Sequence, residues 1–378
     1  MLYLDHAATT AIRREVLEAM WPYLTGEFGN PSSHHDVGQA AARGLAEARA
    51  TVAEAFGVRS SEVVFTSGGT EADNLAIKGI VLASPRGRHL VTSAIEHPAV
   101  LESCDYLARV HGAEVTVLPV DRDGLVDPDE FAAALRPDTA LATIMTANNE
   151  IGTVEPVARL GELARAVGVP FHTDAVQAAG WMSLRLDDLG ADAASISGHK
   201  LGAPKGIGAL AVRSGVALEP VVHGGGQERG RRSGTENVAG AVGLATALRL
   251  ASAQLADAGR IASLRDRFIG AVLATVPGAV LTGSATSRLP GHASFCFPGT
   301  SGESVLLGLE ARGITCSSGS ACAAGSDEPS EVLLAIGLPP EIAQTAVRFT
   351  FGADITTEEL DRAAAELRVA VESVRSLG

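Results

Sequence analysis

From Val37 to Val212 the apolar residues switch repeatedly between two spacings, and this alternation constrains the fold more than any other feature of the chain. Val37, Ala41, Leu45, Ala48, Val52 and Phe56 recur three and four apart, the stripe of an amphipathic helix. An apolar run at 62–66 follows, then the turn Ser67-Gly68-Gly69-Thr70, then a helical pattern through Leu75 and Ile77. Further strands are predicted at 89–92, 114–118, 140–146, 169–172, 193–197 and 207–212. Asp127-Pro128-Asp129-Glu130 is a helix start, with a cap residue and proline at the first helical position. Strands separated by helices pair in parallel, because each crossover returns the chain to the same end of the sheet. Helices then cover both faces, so the first expectation is an α/β domain around a mainly parallel sheet.

The pattern changes after a helical stretch at 238–258. A long helix, short strands at 293–297 and 347–351 and a final helix opened by Thr356-Thr357-Glu358-Glu359 predict a smaller α+β domain. A length of 378 residues accommodates both. The expected division is a large domain over 1–258 and a small one over 259–378. No long linker or repeat separates them, so they are expected to share a cleft.

Acidic residues (44) outnumber basic ones (30), for a formal charge of -14, which argues against direct binding to nucleic acid or an anionic membrane. The opening residues lack a basic stretch followed by an apolar one, and the apolar run from Ile269 to Ser287 is broken by Pro277-Gly278 into helix end, turn and strand. A cytoplasmic chain with no membrane span is expected, with Cys104, Cys296, Cys316 and Cys322 reduced. No Cys/His spacing matches a metal site, so no metal is expected.

Chemistry concentrates at strand ends. Ser197-Gly198-His199-Lys200 follows an apolar strand, where open α/β sheets place ligands, and a lysine among small residues there is a candidate amine nucleophile toward a carbonyl. Asp174 stands immediately after the preceding predicted strand, 26 positions upstream, about one strand-helix-strand passage away. An acid beside a Schiff-base lysine suits pyridoxal phosphate, whose ring nitrogen must stay protonated to act as an electron sink. Gly68-Gly69-Thr70 entering a helix offers amides, a hydroxyl and a positive helix end to a phosphate. Taken singly, each has a plainer reading: a turn lysine, a cap aspartate, a glycine turn. Gly206-Ile207-Gly208-Ala209-Leu210-Ala211 fits a dinucleotide fingerprint, but its continuation reads as strand rather than helix, and that reading is set aside. The Ser/Gly/Ala-rich run from Ser317 to Ser326 predicts an accessible loop for Cys322, while Cys104 and Cys296 fall in apolar periods and read as core.

These motifs, with Tyr3-Leu4-Asp5-His6-Ala7-Ala8-Thr9-Thr10, Phe28-Gly29-Asn30-Pro31, Glu96-His97, Asn148-Asn149-Glu150, Arg232-Ser233-Gly234-Thr235 and Ser318-Gly319-Ser320-Ala321-Cys322, stand in an order that resembles the group I cysteine desulfurases of the nitrogen-fixation and iron-sulfur-assembly type, within the class-V aminotransferases. The resemblance implies a fold-type-I pyridoxal-phosphate enzyme with a seven-stranded sheet. Its N-terminal segment would contribute to the small domain. It further implies that Lys200 binds the cofactor and moves the substrate Cα proton, and that Asp174 meets the ring nitrogen. Gln177 and Asn149 would face the ring hydroxyl, with His97 stacked on the ring. Gly69, Thr70, Ser197 and His199 would hold the phosphate, joined by Thr235 from the other subunit of a homodimer. Asn30 and Arg348 would take the carboxylate of L-cysteine, Cys322 would receive its sulfur as a persulfide, and alanine would leave. The sulfur would pass to a protein acceptor, an iron-sulfur scaffold or a tRNA-thiolation enzyme. A selenocysteine lyase or another class-V enzyme is the alternative. Gly69 stands where alanine is frequent in such enzymes, a change expected to matter little because the donor is a backbone amide.

Overall fold

The alternation in the sequence becomes a central sheet in the computed structural model, which describes residues 1–318 and 329–376. The chain opens with a short strand, β1 (Leu2–Tyr3), and then supplies β2 (Val63–Thr66), β3 (His89–Ser93), β4 (Glu114–Leu118), β5 (Thr139–Thr143), β6 (Phe171–Asp174), β7 (Ala193–Ser197) and β8 (Gly208–Val212). β2 to β8 form a seven-stranded sheet in the order β2-β8-β7-β6-β5-β3-β4. The pairs from β7 through β6, β5 and β3 to β4 are parallel, while β8 runs antiparallel to both β7 and β2. The sheet is therefore mixed. β8 follows β7 after a short turn with no crossover helix, and a connection of that length can only reverse the chain.

Every strand of this sheet except β4 is buried along its whole length, which explains why these segments read as continuous apolar runs. Two predicted strands shift by more than one residue. β5 stops at Thr143 instead of 146, although Ile144 and Thr146 still donate to the carbonyls of His172 and Asp174, and β6 extends two residues further to Asp174, opposite Ser195. In the helix Asp36–Phe56 the buried stripe contains Gly38 rather than Val37, which is 39% exposed. A Cβ on Gly38 would lie 2.4 Å from the carbonyl oxygen of Ser33, so the first turn packs against the preceding chain through a bare Cα.

The helical run Val238–Thr275 is long and apolar enough to cross a membrane, yet most of that apolar window is buried inside the protein. Past it come β9 (Val280–Leu281), β10 (His292–Cys296), β11 (Ile314–Thr315) and β12 (Ala346–Thr350). β12, β10 and β9 pair antiparallel, and β1 pairs in parallel with β11. A second core forms here, in which Phe268, Phe295 and Phe349 meet edge to face and Leu2 and Leu4 of the N-terminus are buried with them. The final helix, Thr357–Arg375, starts at a reciprocal cap: Thr356 Oγ1 accepts from the Glu359 amide, and the Glu359 carboxylate accepts from the Thr356 amide.

Candidate active site

The sheet brings its functional side chains out at the C-terminal ends of parallel strands. Asp174 ends β6, Ser197 ends the neighbouring β7, and the tight turn Gly198–Lys200 carries the lysine past the sheet edge. Lys200 Nζ donates to the carbonyls of Ala7 and, at 2.8 Å, Ala8. Gln177 Nε2 donates to the same Ala7 carbonyl at 3.1 Å, and Thr10 Oγ1 donates to the carbonyl of His199 at 2.8 Å. Residues 7–10 thus lie as a strap beside the lysine. Between this strap, Gln177, Lys200 and the segment 350–354 after β12 is a cleft of about 530 Å³.

The turn Gly68-Gly69-Thr70 opens the helix Gly69–Ala83, and its cap glycine makes no side-chain bond to the first turn, leaving that end to an anion. Gly208 at the start of β8 passes under this turn; a Cβ there would meet Gly68 Cα at 2.7 Å, which explains a glycine that belongs to no dinucleotide motif. Gly69 matters more than the sequence suggested. A Cβ on it would lie 2.8 Å from Val176 Cγ2, so the valine beside Asp174 requires the missing methyl. Ser197 is buried next to the turn, and His199 Nδ1 lies 3.1 Å from Thr9 Oγ1. Burial, then Lys200 and Lys205, lower the His199 pKa to about 4, so the ring is neutral near pH 7.

Two residues given no role from sequence complete this end. Glu71 accepts from the Ser67 amide at 2.8 Å and from Arg232 at 2.7 and 3.2 Å, tying the loop that carries Thr235 to the phosphate turn. Arg232 stands within the motif Arg232-Ser233-Gly234-Thr235, so the signal was present in the sequence. Thr235 itself is exposed.

His97 caps the helix Pro98–His111, its Nδ1 accepting from the Ala99 amide at 3.0 Å. A neutral ring so bonded carries its proton on Nε2. Burial holds His97 below its ordinary pKa, with Asp174 opposing and Lys200 adding to the shift. Burial raises Asp174, while His97, the Val176 amide at 2.8 Å and Lys200 pull it back. Behind Asp174 the polar groups are neutral or forced toward neutrality. His172 bridges Thr143 Oγ1 at 2.8 Å and Ser195 Oγ at 3.0 Å and is pushed down to about 3 by burial. Burial also raises Asp73 and lifts Glu96 to about 8; Asp73 Oδ1 and Glu96 Oε2 find no hydrogen-bond partner among the described residues.

On the facing side Arg348 lies buried in β12, its Nη2 donating to Asp5 Oδ1 at 2.8 Å and its Nη1 to the Asn149 carbonyl at 2.9 Å. His292 Nε2 lies 3.1 Å from the same carbonyl, so the loop with Asn149 is held from β10 and β12 together. Asn30 is exposed and its Oδ1 accepts from the Ser32 amide at 2.9 Å, a local turn ahead of the helix Asp36–Phe56. Cys104 and Cys296 are buried, with thiols pushed up to about 12 by burial, and Cys316 is raised as well. Cys322 lies outside the described residues.

This donor set fits pyridoxal phosphate. A buried acid stands ready for a protonated ring nitrogen, a glycine turn at a helix N-terminus for a phosphate, and a lysine amine between them for an aldehyde.

Comparison with known proteins agrees. The class-V aminotransferase profile matches residues 2–363. The chain is 47% identical to the cysteine desulfurase IscS of Dictyoglomus turgidum, over all of this chain and 96% of that protein. Among solved structures, a NifS-like protein superposes with a TM-score of 0.91 at 36% identity, over 98% of this chain and 99% of the other. A structure described as SspA in complex with cysteine superposes with a TM-score of 0.81 at 37% identity, over 93% and 99% of the two chains.

Proposed function

The chain belongs to the class-V aminotransferase family and is a pyridoxal-phosphate-dependent cysteine desulfurase acting on L-cysteine, and from that premise we propose how its own residues divide the work. Bound at Lys200, the cofactor supplies an electron sink that stabilises a carbanion at the substrate Cα. Lys200 holds the group through its amine, and once displaced by substrate that amine carries the Cα proton. The strap carbonyls of Ala7 and Ala8 give it a resting place in the meantime. Asp174 would pair with the ring nitrogen and keep it protonated, and Gln177 and Asn149 would serve the ring hydroxyl. His97 would stack on the ring and assist proton transfer. Gly69, Thr70, Ser197 and His199 would hold the phosphate. Arg348 takes the substrate carboxylate, and Asn30 assists it. Cys322 attacks the substrate sulfur as a thiolate; the S–S bond forms as the Cβ–S bond breaks, its electron pair stays with the carbon fragment that is protonated and leaves as alanine, and the persulfide passes its outer sulfur to a protein acceptor, an iron-sulfur scaffold or a thiolation enzyme.

The large domain of 1–258 carries the cofactor, and the small domain of 259–378, with the N-terminal strand added, closes over it. A second copy covers the exposed Leu17, Trp21 and Leu24 of the helix Arg14–Thr25, so that Thr235 of each subunit reaches the phosphate of the other. Reduced Cys104, Cys296 and Cys316 suit the cytoplasm.

The convergence of Asp174 and Lys200 from adjacent parallel strand ends is the observation that carries this reading. The purified holoenzyme should be yellow, and Lys200→Ala should lose that absorbance. On incubation with L-cysteine the wild type should release alanine and gain the mass of one sulfur at Cys322, removable by a thiol reductant. Alanine and sulfide production left intact in Cys322→Ser would overturn the persulfide step.

A further inference from the structure

Among the described residues, the carboxylate that meets Arg348 belongs to Asp5, at the opposite end of the chain. Asp5 pairs with Thr350 in an isolated parallel bridge, and the backbone continues the contact on both sides: Thr350 donates to the Leu4 carbonyl at 2.8 Å, and His6 donates to the Thr350 carbonyl at 3.1 Å. Arg348 exchanges backbone bonds with Ser317 along the same edge of β12. The ladder therefore fixes the Asp5 carboxylate against the guanidinium, whose side chain is 1% exposed, while that of Asp5 is 16% exposed. One carboxylate oxygen makes the contact, from Nη2, and Nη1 is turned to the Asn149 carbonyl. Two and three residues further on, Ala7 and Ala8 accept from Lys200. A stretch of four residues thus touches both cations of the site.

We propose that Asp5 is a positioning residue with two opposed effects: it aims Arg348, and by its negative charge it weakens the hold of Arg348 on the α-carboxylate of substrate and product. The proposal rests on the reading that Arg348 binds that carboxylate. A guanidinium buried beside one carboxylate is already neutralised, so a second carboxylate arriving there meets the repulsion of the first in a medium that screens poorly. L-Cysteine and L-alanine carry the same carboxylate, so a site without Asp5's charge would grip both and release alanine slowly. Asp5 keeps the aim of the arginine while limiting its grip.

Substitution separates the two effects. Asp5→Asn keeps an oxygen acceptor for Nη2 and removes the charge; Asp5→Ala removes both. In the holoenzyme, Asp5→Asn should lower the KM for L-cysteine and the inhibition constant for L-alanine roughly five- to tenfold, as expected for one unit charge a few ångströms away in a partly screened site. Parallel shifts in both constants, with the smaller share falling on kcat, mark a change in uniform binding. Asp5→Ala should raise both constants roughly tenfold, because the arginine loses its aim. The melting temperature of the cofactor-free protein checks folding, and Asp5→Asn should melt close to wild type. The cofactor absorbance should also be unmoved in Asp5→Asn, since a shift there would place the effect on the strap and Lys200 and overturn the proposal. An Asp5→Asn enzyme whose two constants rise or stay unchanged would overturn it too. Arg348→Ala keeps the failures apart. If it leaves the KM for L-cysteine unchanged, the reading of Arg348 is wrong; if it raises KM while Asp5→Asn does not lower it, only the role of Asp5 is wrong.

Discussion

Arg49 and Arg348 are both buried beside a carboxylate, and they are built differently. Arg49, on the helix Asp36–Phe56, meets Glu228 with both prongs, at 2.5 and 2.7 Å, donates also to the Val63 carbonyl and lies over the Phe65 ring. Glu228 in turn accepts from the Phe65 amide at 3.1 Å and sits, with Arg229, at positive φ. Strain in two non-glycine residues persists only where the surroundings hold it, and here the fork does so. Arg348 meets Asp5 through one carboxylate oxygen, and Asp5 is followed by His6 and Ala7, which line the cleft. The first geometry fixes a loop to the sheet; the second holds the guanidinium to one carboxylate oxygen, the arrangement on which the proposed role of Arg348 in carboxylate binding rests.

The largest effect should come from breaking the first pair. Glu228→Ala leaves a buried guanidinium without its counter-charge and releases the strained loop, and should cost ~3–5 kcal/mol in denaturant unfolding of the cofactor-free protein. A loss no larger than that of a surface substitution would mean that the fork is not what holds the loop leading to Thr235.

Glu96 extends the comparison to a buried acid with no arginine. Its Oε1 accepts from Ser93 Oγ at 2.6 Å and the Met145 amide at 3.0 Å, but burial, with Asp174 and Glu155 adding negative charge nearby, disfavours its ionised form, so a proton takes the place of the cation. A folded pKa of about 8, raised above the unfolded value, means that the native state binds the extra proton. The stabilisation is fully present below the unfolded glutamate pKa of ~4.3 and is lost as pH rises through the folded value. Glu155, also raised to about 8 by burial, adds to the same slope. In Glu96→Gln, which is neutral at every pH, unfolding free energy should fall less between pH 5 and pH 8 than in wild type, a difference of a few kcal/mol across the window. Equal slopes in the two proteins would show that Glu96 is ionised in the fold.

Neither arginine pair was legible in the sequence, and the reason is physical. Periodicity reports which face of a helix or strand is buried, which is why the strands of the central sheet and the strand-end positions of Asp174, Ser197 and Lys200 could be read. It does not report which strands become neighbours. Asp5 and Arg348 are 343 positions apart, and Arg49 interrupts an apolar stripe where a charged residue ordinarily marks the solvent side. The antiparallel β8 was missed for a related cause: its sequence is as apolar as its parallel neighbours, and only the short connection from β7 sets its direction. The demand of Val176 for a glycine at 69 was hidden likewise, because it lies between residues of different elements.

Lysine in place of each arginine should sharpen the contrast. Arg49→Lys keeps the charge but loses the fork and the ring contact, and should cost ~1–3 kcal/mol of stability. Arg348→Lys should lose less stability and instead raise the KM for L-cysteine roughly tenfold, since a point charge cannot hold Asn149, Asp5 and a carboxylate in one plane. Equal stability losses with an unchanged KM would erase the distinction drawn between the two sites.

The smallest effect is expected where the geometry is as good as at Arg49 but water is present. Arg136 meets Glu114 with two prongs, at 2.5 and 2.9 Å, and adds Asp138 at 2.9 and 3.0 Å, on the outer strand β4 side of the sheet. Its side chain is 35% exposed and that of Glu114 is 66% exposed, against 9% and 2% for Arg49 and Glu228. In that setting solvent screens the attraction and hydrates each partner once the other is gone, so no charge is stranded. Glu114→Ala should therefore leave the melting temperature within experimental scatter, and added salt should not separate the variant from wild type. Because the two forks match in distance, the difference between Glu228→Ala and Glu114→Ala reports burial together with the second partner, Asp138, that remains to Arg136. A drop at Glu114 comparable to that at Glu228 would move the explanation from desolvation to fork geometry, and with it the argument that Asp5 and Arg348 differ from Arg49 and Glu228 in function.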